Sequence, residues 1–165
     1  MGYDVIITRE PLRAVFDLKG PEEAVVAWCG TALPDLPDQP NSLTAKGTRL
    51  LMWIGPDHWL LADALAQEER LSEALRPDTA PAEVSIVLVS DTLTFFVVGG
   101  PDAAEVMAIA TPLDLHPLSF AEDCVSQTEA FGTKALIRRC AGGYEIAVDR
   151  SYGDWFEASL RRAAS

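Results

Sequence analysis

His58 and His116 are the only histidines of the chain, and Cys29, Cys124 and Cys140 the only cysteines. A histidine- or thiolate-ligated zinc site, or a thiol nucleophile, would have to draw on these five residues. No C-x-x-C pair occurs, neither histidine has a cysteine pair near it, and a zinc site would need third and fourth ligands that the spacing does not supply. Asp114 and His116 stand two residues apart, so on an extended segment they face the same way and could work as acid and base. Pro112 and Pro117 flank them, however, and in a loop such residues ordinarily bond to turn backbone. Arg138 and Arg139 next to Cys140 could depress a thiol pKa, yet a cysteine in a β-rich run is more often a small buried hydrophobe. All three thiols therefore read as structural. Ser151 and Asp154 have the spacing of a capping box, and no base that would activate the hydroxyl is visible.

Two Gly-Pro turns are the other chemical candidates. Gly20-Pro21 and Gly100-Pro101 each open a helix, and a helix N-terminus after glycine can cradle phosphate. Here Glu22, Glu23, Asp102 and Glu105 occupy the first turns and would repel an anion, so the acids read as partners of the helix dipole. Neither G-x-G-x-x-G nor G-K-[ST] occurs anywhere.

These residues sit on a regular series of elements. Tyr3 to Arg9 and Arg13 to Leu18 read as short strands with a turn at Pro11. Pro21 to Cys29 reads as a helix ended by Gly30. Leu33 to Lys46, with Pro34, Pro37 and Pro40, reads as a surface loop. Thr48 to Ile54 and His58 to Ala62 flank Gly55-Pro56-Asp57 as a hairpin. A helix from Gln67 to Leu75 carries Leu71 and Leu75 four apart on one face. Arg76 to Glu83 is a connector.

After the connector the order repeats: strands at Val84 to Val89 and Leu93 to Val98, then a helix opening at Gly99-Gly100-Pro101. Phe16-Asp17-Leu18-Lys19-Gly20-Pro21-Glu22 and Phe96-Val97-Val98-Gly99-Gly100-Pro101-Asp102 share Phe-x-x-x-Gly-Pro-acid. Thr48 to Ala62 matches Thr133 to Val148, with its turn at Gly142-Gly143, and the Gln67 helix matches one from Ser151 to Ala163. Each half runs strand, strand, helix, strand, strand, helix. The repeat predicts an α+β fold made of two related units the size of split β-α-β modules, fused into a single domain over residues 1–165 with shared sheets. The pseudo-repeat halves are 1–80 and 81–165.

Charge narrows the partners. With 25 acidic against 13 basic residues the net charge is −12, and both halves are acidic, so no basic footprint for nucleic acid exists. The apolar runs fall far short of the roughly 20 residues that span a bilayer. With no basic n-region and apolar h-region at the start, a cytoplasmic protein with free thiols, binding neither nucleic acid nor membrane, is expected. Trp28, Trp53, Trp59 and Trp155 should lie in core or interface. Trp53 and Trp59 straddle the first hairpin turn, which, with the Pro112 loop, is where an exposed apolar contact patch is expected.

Gly55-Pro56-Asp57-x-Trp59-Leu60-Leu61, Gly100-Pro101-x-Ala103, Pro112-Leu113-Asp114-Leu115, Phe120, Gln127-Thr128 and Arg150-Ser151-Tyr152 together resemble the gamma subunit of heterotetrameric sarcosine oxidase, over about Leu50 to Ala163. That family is similar to a shortened folate-binding domain of glycine-cleavage aminomethyltransferases, which implies a duplication of two ferredoxin-like units. One departure follows Phe120, where the family pattern has a glycine and this chain has Ala121-Glu122-Asp123; Asp123 can supply the turn. The resemblance implies a non-catalytic chain without cofactor that contacts the alpha subunit and, through it, beta and delta. FAD, FMN, NAD, tetrahydrofolate and zinc then belong to the partner subunits of a complex that oxidatively demethylates sarcosine. The residues themselves, at the first hairpin, the Pro112 loop and the start of the last helix, make Trp53, Trp59, Asp114, His116 and Arg150 the candidate interface residues. The length leaves no room for the further domains of the transferases, which counts against an independent folate-dependent transfer activity. The alternative is a stand-alone folate or small-molecule binding protein, and the absence of an acid, base or cofactor motif favours the subunit reading over it.

Overall fold

The computed structural model describes residues 2–165. The strands in chain order are β1 (Ile6–Arg9), β2 (Arg13–Lys19), β3 (Leu43–Lys46), β4 (Arg49–Gly55), β5 (His58–Ala64), β6 (Ser85–Leu88), β7 (Leu93–Gly99), β8 (Val125–Ala130), β9 (Thr133–Cys140) and β10 (Gly143–Asp149). The helices are α1 (Glu22–Cys29), α2 (Glu68–Leu75), α3 (Ala103–Ala110) and α4 (Gly153–Ala163). Two five-stranded antiparallel sheets result, ordered β3-β4-β5-β2-β6 and β1-β7-β10-β9-β8. The chain separates into two compact units: Leu12–Ser90, and the segment ending at Pro11 together with Asp91–Ser165.

In the unit Leu12–Ser90, alternation along β2 puts Ala14, Phe16 and Leu18 on one face, each fully buried. They meet Trp59 and Leu61 of β5, Val25 and Cys29 of α1, and Leu71 and Leu75 of α2. The four-residue spacing of the two leucines lets α2, otherwise polar, bury one stripe. Burying each such side chain contributes about 1.5–3 kcal/mol. Strand β3 departs from expectation, because its residues fall inside the stretch read as loop. The three prolines all precede Leu43, and an edge strand needs only one partner, here β4, with Leu43 opposite Met52.

Asp63 is the buried charge of this unit, its side chain only 3 % exposed. It accepts from the Thr48 hydroxyl at 2.6 Å, the Ala64 N–H at 2.8 Å and Arg49 Nε at 3.0 Å. Arg49 Nη1 goes on to the Ala32 carbonyl at 2.7 Å. Burial pushes the Asp63 carboxyl up, but these three hydrogen bonds and the Arg49 charge outweigh it and hold the group below the ordinary aspartate value.

The second unit repeats the plan. Phe96 and Val98 of β7 lie opposite Ile146 and Tyr144 of β10, as Phe16 and Leu18 lie opposite Leu61 and Trp59. Val106 and Met107 of α3 and Phe156 and Leu160 of α4 cover them. The Phe96 and Phe156 rings stand 5.5 Å apart. Here too a third strand, β8, precedes the hairpin and pairs with β9, so each half has one more strand than the repeat pattern predicts.

The boundary at 80/81 does not separate the compact units, because the first strand of each repeat lies in the sheet of the other. β1 pairs with β7, Ile7 opposite Val98, and β6 pairs with β2, Ile86 opposite Leu18. The sharing of sheets between the halves therefore takes the form of an exchange of edge strands. This explains the Gly-Pro repeat. Gly20 (φ 141°) and Gly100 (φ 116°) hold conformations that L side chains rarely adopt. A Cβ at Gly20 would lie 2.5 Å from the Glu83 carbonyl oxygen, and one at Gly100 would lie 2.6 Å from that of Asp4. The residues leading into β6 and β1 run over these glycines, and backbone fills the place a phosphate would take. Asp102 then accepts the Asp4 N–H at 2.7 Å, so this acid ties down the arriving strand rather than capping α3.

Candidate functional site

The loop between α3 and β8 holds the densest group of predicted residues. Asp114 accepts the His116 N–H at 3.0 Å, and His116 Nδ1 accepts the Leu118 N–H at 3.2 Å. The His116 carbonyl takes the Ser119 and Phe120 N–H groups, each at 2.8 Å. The Ser119 hydroxyl and then the His116 N–H hold the exposed Asp114 carboxyl below the usual carboxylate range. Both polar side chains are thus engaged in shaping a turn. From β9, Arg139 reaches over the Tyr144 ring, its guanidinium carbon 5.0 Å from the centroid, and donates to the Phe120 carbonyl at 2.7 Å and the Leu115 carbonyl at 2.5 Å. That clamp leaves Leu118 projecting, 92 % exposed.

The other expected contact residues are scattered. Trp59 is only 2 % exposed, inside its own unit's core, which removes it from any surface. The half-buried Trp53 packs on the same core, donates to the Gly55 carbonyl at 2.7 Å and lies tilted by 30° against Trp59, with ring centroids 6.4 Å apart. No large hydrophobe of the first hairpin is exposed among the described residues, so the apolar patch expected there does not form. The Pro112 loop presents Leu118. Arg150 is exposed at the entry to α4, with its N–H on the Thr92 carbonyl at 2.9 Å.

Ser151 and Asp154 make no capping box. The Asp149 carboxylate accepts both the Ser151 hydroxyl at 2.6 Å and the Ser151 N–H at 2.8 Å, and these bonds, the hydroxyl's first, lower its pKa. Asp154 is drawn to Arg9 Nη1 of β1 at 2.6 Å. A long-range partner outcompetes the local cap, and its arrival from β1 is invisible to spacing.

The other chemical candidates are structural as well. Burial pushes the Cys29 thiol up to about 11 against the opposing charge of Arg76, a value that keeps it protonated and unreactive. Arg138 is turned from Cys140 to Glu145 in a bidentate pair at 2.7 and 2.9 Å. His58 Nε2 meets Asp17 Oδ1 at 2.9 Å across β5 and β2, a pairing 41 residues apart in sequence. Among the described residues no group of three or more His, Cys, Asp or Glu is placed to hold a metal ion. No helix among them is long and apolar enough to cross a membrane.

Sequence reasoning missed one surface, a groove of about 460 Å³ on the unit that contains α3 and α4, lined by Ile109, Phe131, Trp155, Ser159, Arg162 and Ala163. Ile109 and Trp155 are about half exposed, and Tyr152 packs edge-on to Trp155 with centroids 6.2 Å apart. The available signal was Trp155 next to Phe156 on an amphipathic helix, where both aromatics cannot point straight into one core.

Two α+β units, each a five-stranded antiparallel sheet with two helices, define a duplicated ferredoxin-like fold. Known proteins share it. A chain of heterotetrameric sarcosine oxidase from Corynebacterium sp. U-96, solved in complex with pyrrole 2-carboxylate, matches at TM-score 0.81 and 22 % identity over 98 % of this chain and 86 % of that one. Aminomethyltransferase T of the glycine cleavage system from Bartonella henselae matches at TM-score 0.67 and 15 % identity over 96 % of this chain, which spans 46 % of the transferase. The regulatory subunit of aspartate kinase from Thermus thermophilus matches at TM-score 0.56 and 14 % identity over 99 % of both chains. No curated protein sequence matches. Residues 22–165 match the family described as sarcosine oxidase, gamma subunit family, and the chain belongs to that family.

Proposed function

We propose that this chain is a non-catalytic gamma-type subunit of a heterotetrameric sarcosine-oxidase-like complex, docking on and stabilising its large alpha subunit and reaching the beta and delta subunits through it. Family membership over residues 22–165 carries this reading. It is supported by the engagement of Asp114, His116, Asp149 and Ser151 in turn and cap bonds. In this reading FAD, FMN, NAD, tetrahydrofolate and zinc are held by the partner subunits, the complex demethylates sarcosine oxidatively, and it works in the cytoplasm.

Co-expression with the three other subunits tests it. The tagged chain is expected to recover the alpha subunit in equal amount, while the chain purified alone leaves tetrahydrofolate unbound in a calorimetric titration. Failure to recover alpha, combined with saturable tetrahydrofolate binding by the isolated chain, would transfer the assignment to a stand-alone folate-binding protein.

A further inference from the structure

The duplication supplies an internal control for the groove beside α3 and α4. With the first helices matched end to end, α1 (Glu22–Cys29) on α3 (Ala103–Ala110), the buried Val25 and Cys29 correspond to the buried Val106 and Ala110, and Trp28 corresponds to Ile109. Leu71 and Leu75 of α2 correspond to Phe156 and Leu160 of α4, which pairs Arg70 with Trp155 and Ala74 with Ser159. The corresponding groove of the unit Leu12–Ser90 is a smaller cleft of about 210 Å³, whose lining includes Cys29, Arg70 and Ala74. Thr31, Arg49 and Arg70 make that copy polar, as a solvated helix surface should be. In the other copy the arginine has become a 46 % exposed tryptophan, beside a 54 % exposed isoleucine whose counterpart, Trp28, is half-buried and covered by the Arg76 guanidinium. An open aliphatic and aromatic surface of this kind is what monomeric proteins avoid and interfaces use.

Charge says what fits there. Arg162 is the one charged residue lining the groove. Among the described residues its side chain has no ion pair, whereas its neighbour Arg161 is taken up by Glu157 at 2.8 Å. An unpaired guanidinium at the edge of an apolar groove complements a carboxylate next to apolar side chains. A second copy of this chain is the weaker occupant, because two molecules of net charge −12 repel.

We infer that the Ile109–Trp155–Arg162 groove is the docking site for an apolar segment of a partner protein chain that carries a carboxylate, with Trp155 as its apolar anchor and Arg162 as its polar one. This rests on the subunit reading above and gives that subunit a contact face.

The test co-expresses the tagged full chain with the other three subunits of its complex and weighs the recovered partner. Trp155→Arg installs the residue type that its repeat counterpart already carries, and Arg162→Glu changes only an exposed rim charge, so the helix survives both. Far-UV circular dichroism and Tm confirm the fold. Recovery is expected to fall at least tenfold with Trp155→Arg and several-fold with Arg162→Glu, and to persist with Arg162→Lys. Undiminished recovery by folded Trp155→Arg and Arg162→Glu overturns the groove while leaving the subunit reading intact. No recovery even by the unaltered chain overturns both. A homodimer of the unaltered chain that Trp155→Arg dissociates overturns the partner assignment in favour of a second copy.

Discussion

Alanine at Gly20 or at Gly100 is expected to lower stability by about 3 kcal/mol or more, combining a glycine-only backbone conformation with a Cβ forced against fixed backbone. The new methyl would come within 2.6 Å of a carbonyl oxygen at either position, and a carbonyl in a strand lead-in cannot rotate away as a side-chain tip can. At roughly 2–4 °C per kcal/mol for a chain of this size, Tm should drop by about 6–12 °C. The two substitutions should hurt alike, because each glycine seats the exchanged strand in its own unit. Thermal unfolding of both variants checks this, and a loss under about 1 kcal/mol at either site would mean that the strand does not cross there. Gly30 serves as the control: at φ 53° and ψ −132° it too holds a conformation that side chains disfavour, but a Cβ there meets nothing within 4 Å, so alanine should cost only the conformational penalty, about 1–3 kcal/mol.

The second large effect is expected at Asp63. Replacing it with alanine strands the Arg49 guanidinium, whose side chain is 18 % exposed, and removes the acceptor of the Thr48 hydroxyl and the Ala64 N–H. Breaking one side of a fully buried pair costs about 3–5 kcal/mol, and the partial exposure of Arg49 brings the expectation to about 2–4 kcal/mol. The pH dependence has a definite sign. The folded pKa is depressed, so the carboxylate's contribution is complete above the ordinary aspartate pKa of about 3.9 and is lost as pH falls through the lower folded value. Denaturant unfolding should therefore show the unaltered chain and Asp63→Ala differing by a constant amount from pH 5 to 7 and converging below about pH 4. A gap that stays constant into acid would show that lost packing, not charge, sets the cost.

Much of this fold could be read from the chain. Phe-x-x-x-Gly-Pro-acid, recurring at Phe16 and Phe96, marks the duplication, and the spacing of Leu71 and Leu75 marks a helix with one buried face. Periodicity reports which face of an element is apolar and says nothing of which sheet a strand joins. That is why β1 and β6 could be located but not assigned to each other's repeats. Edge strands β3 and β8 escaped for a related reason: half solvated and short, they carry a weaker alternation than β2 or β7. At the candidate site, the local bonds of Asp114 and His116 followed from the flanking prolines. The Arg139 clamp spans 24 residues to Leu115 and depends on tertiary placement. For Trp59 the choice between core and interface stayed open, because a tryptophan beside a turn looks the same in sequence whether it faces the core or a contact surface.

Native mass spectrometry of the complex co-purified through the tagged chain weighs the central claim directly. The account predicts an assembly whose mass is the sum of four different chains, one of them this one, and predicts that omitting this chain leaves the alpha subunit depleted from the soluble fraction. A complete, soluble and sarcosine-oxidising assembly of the other three chains, with this chain absent from it and found alone, would contradict the account.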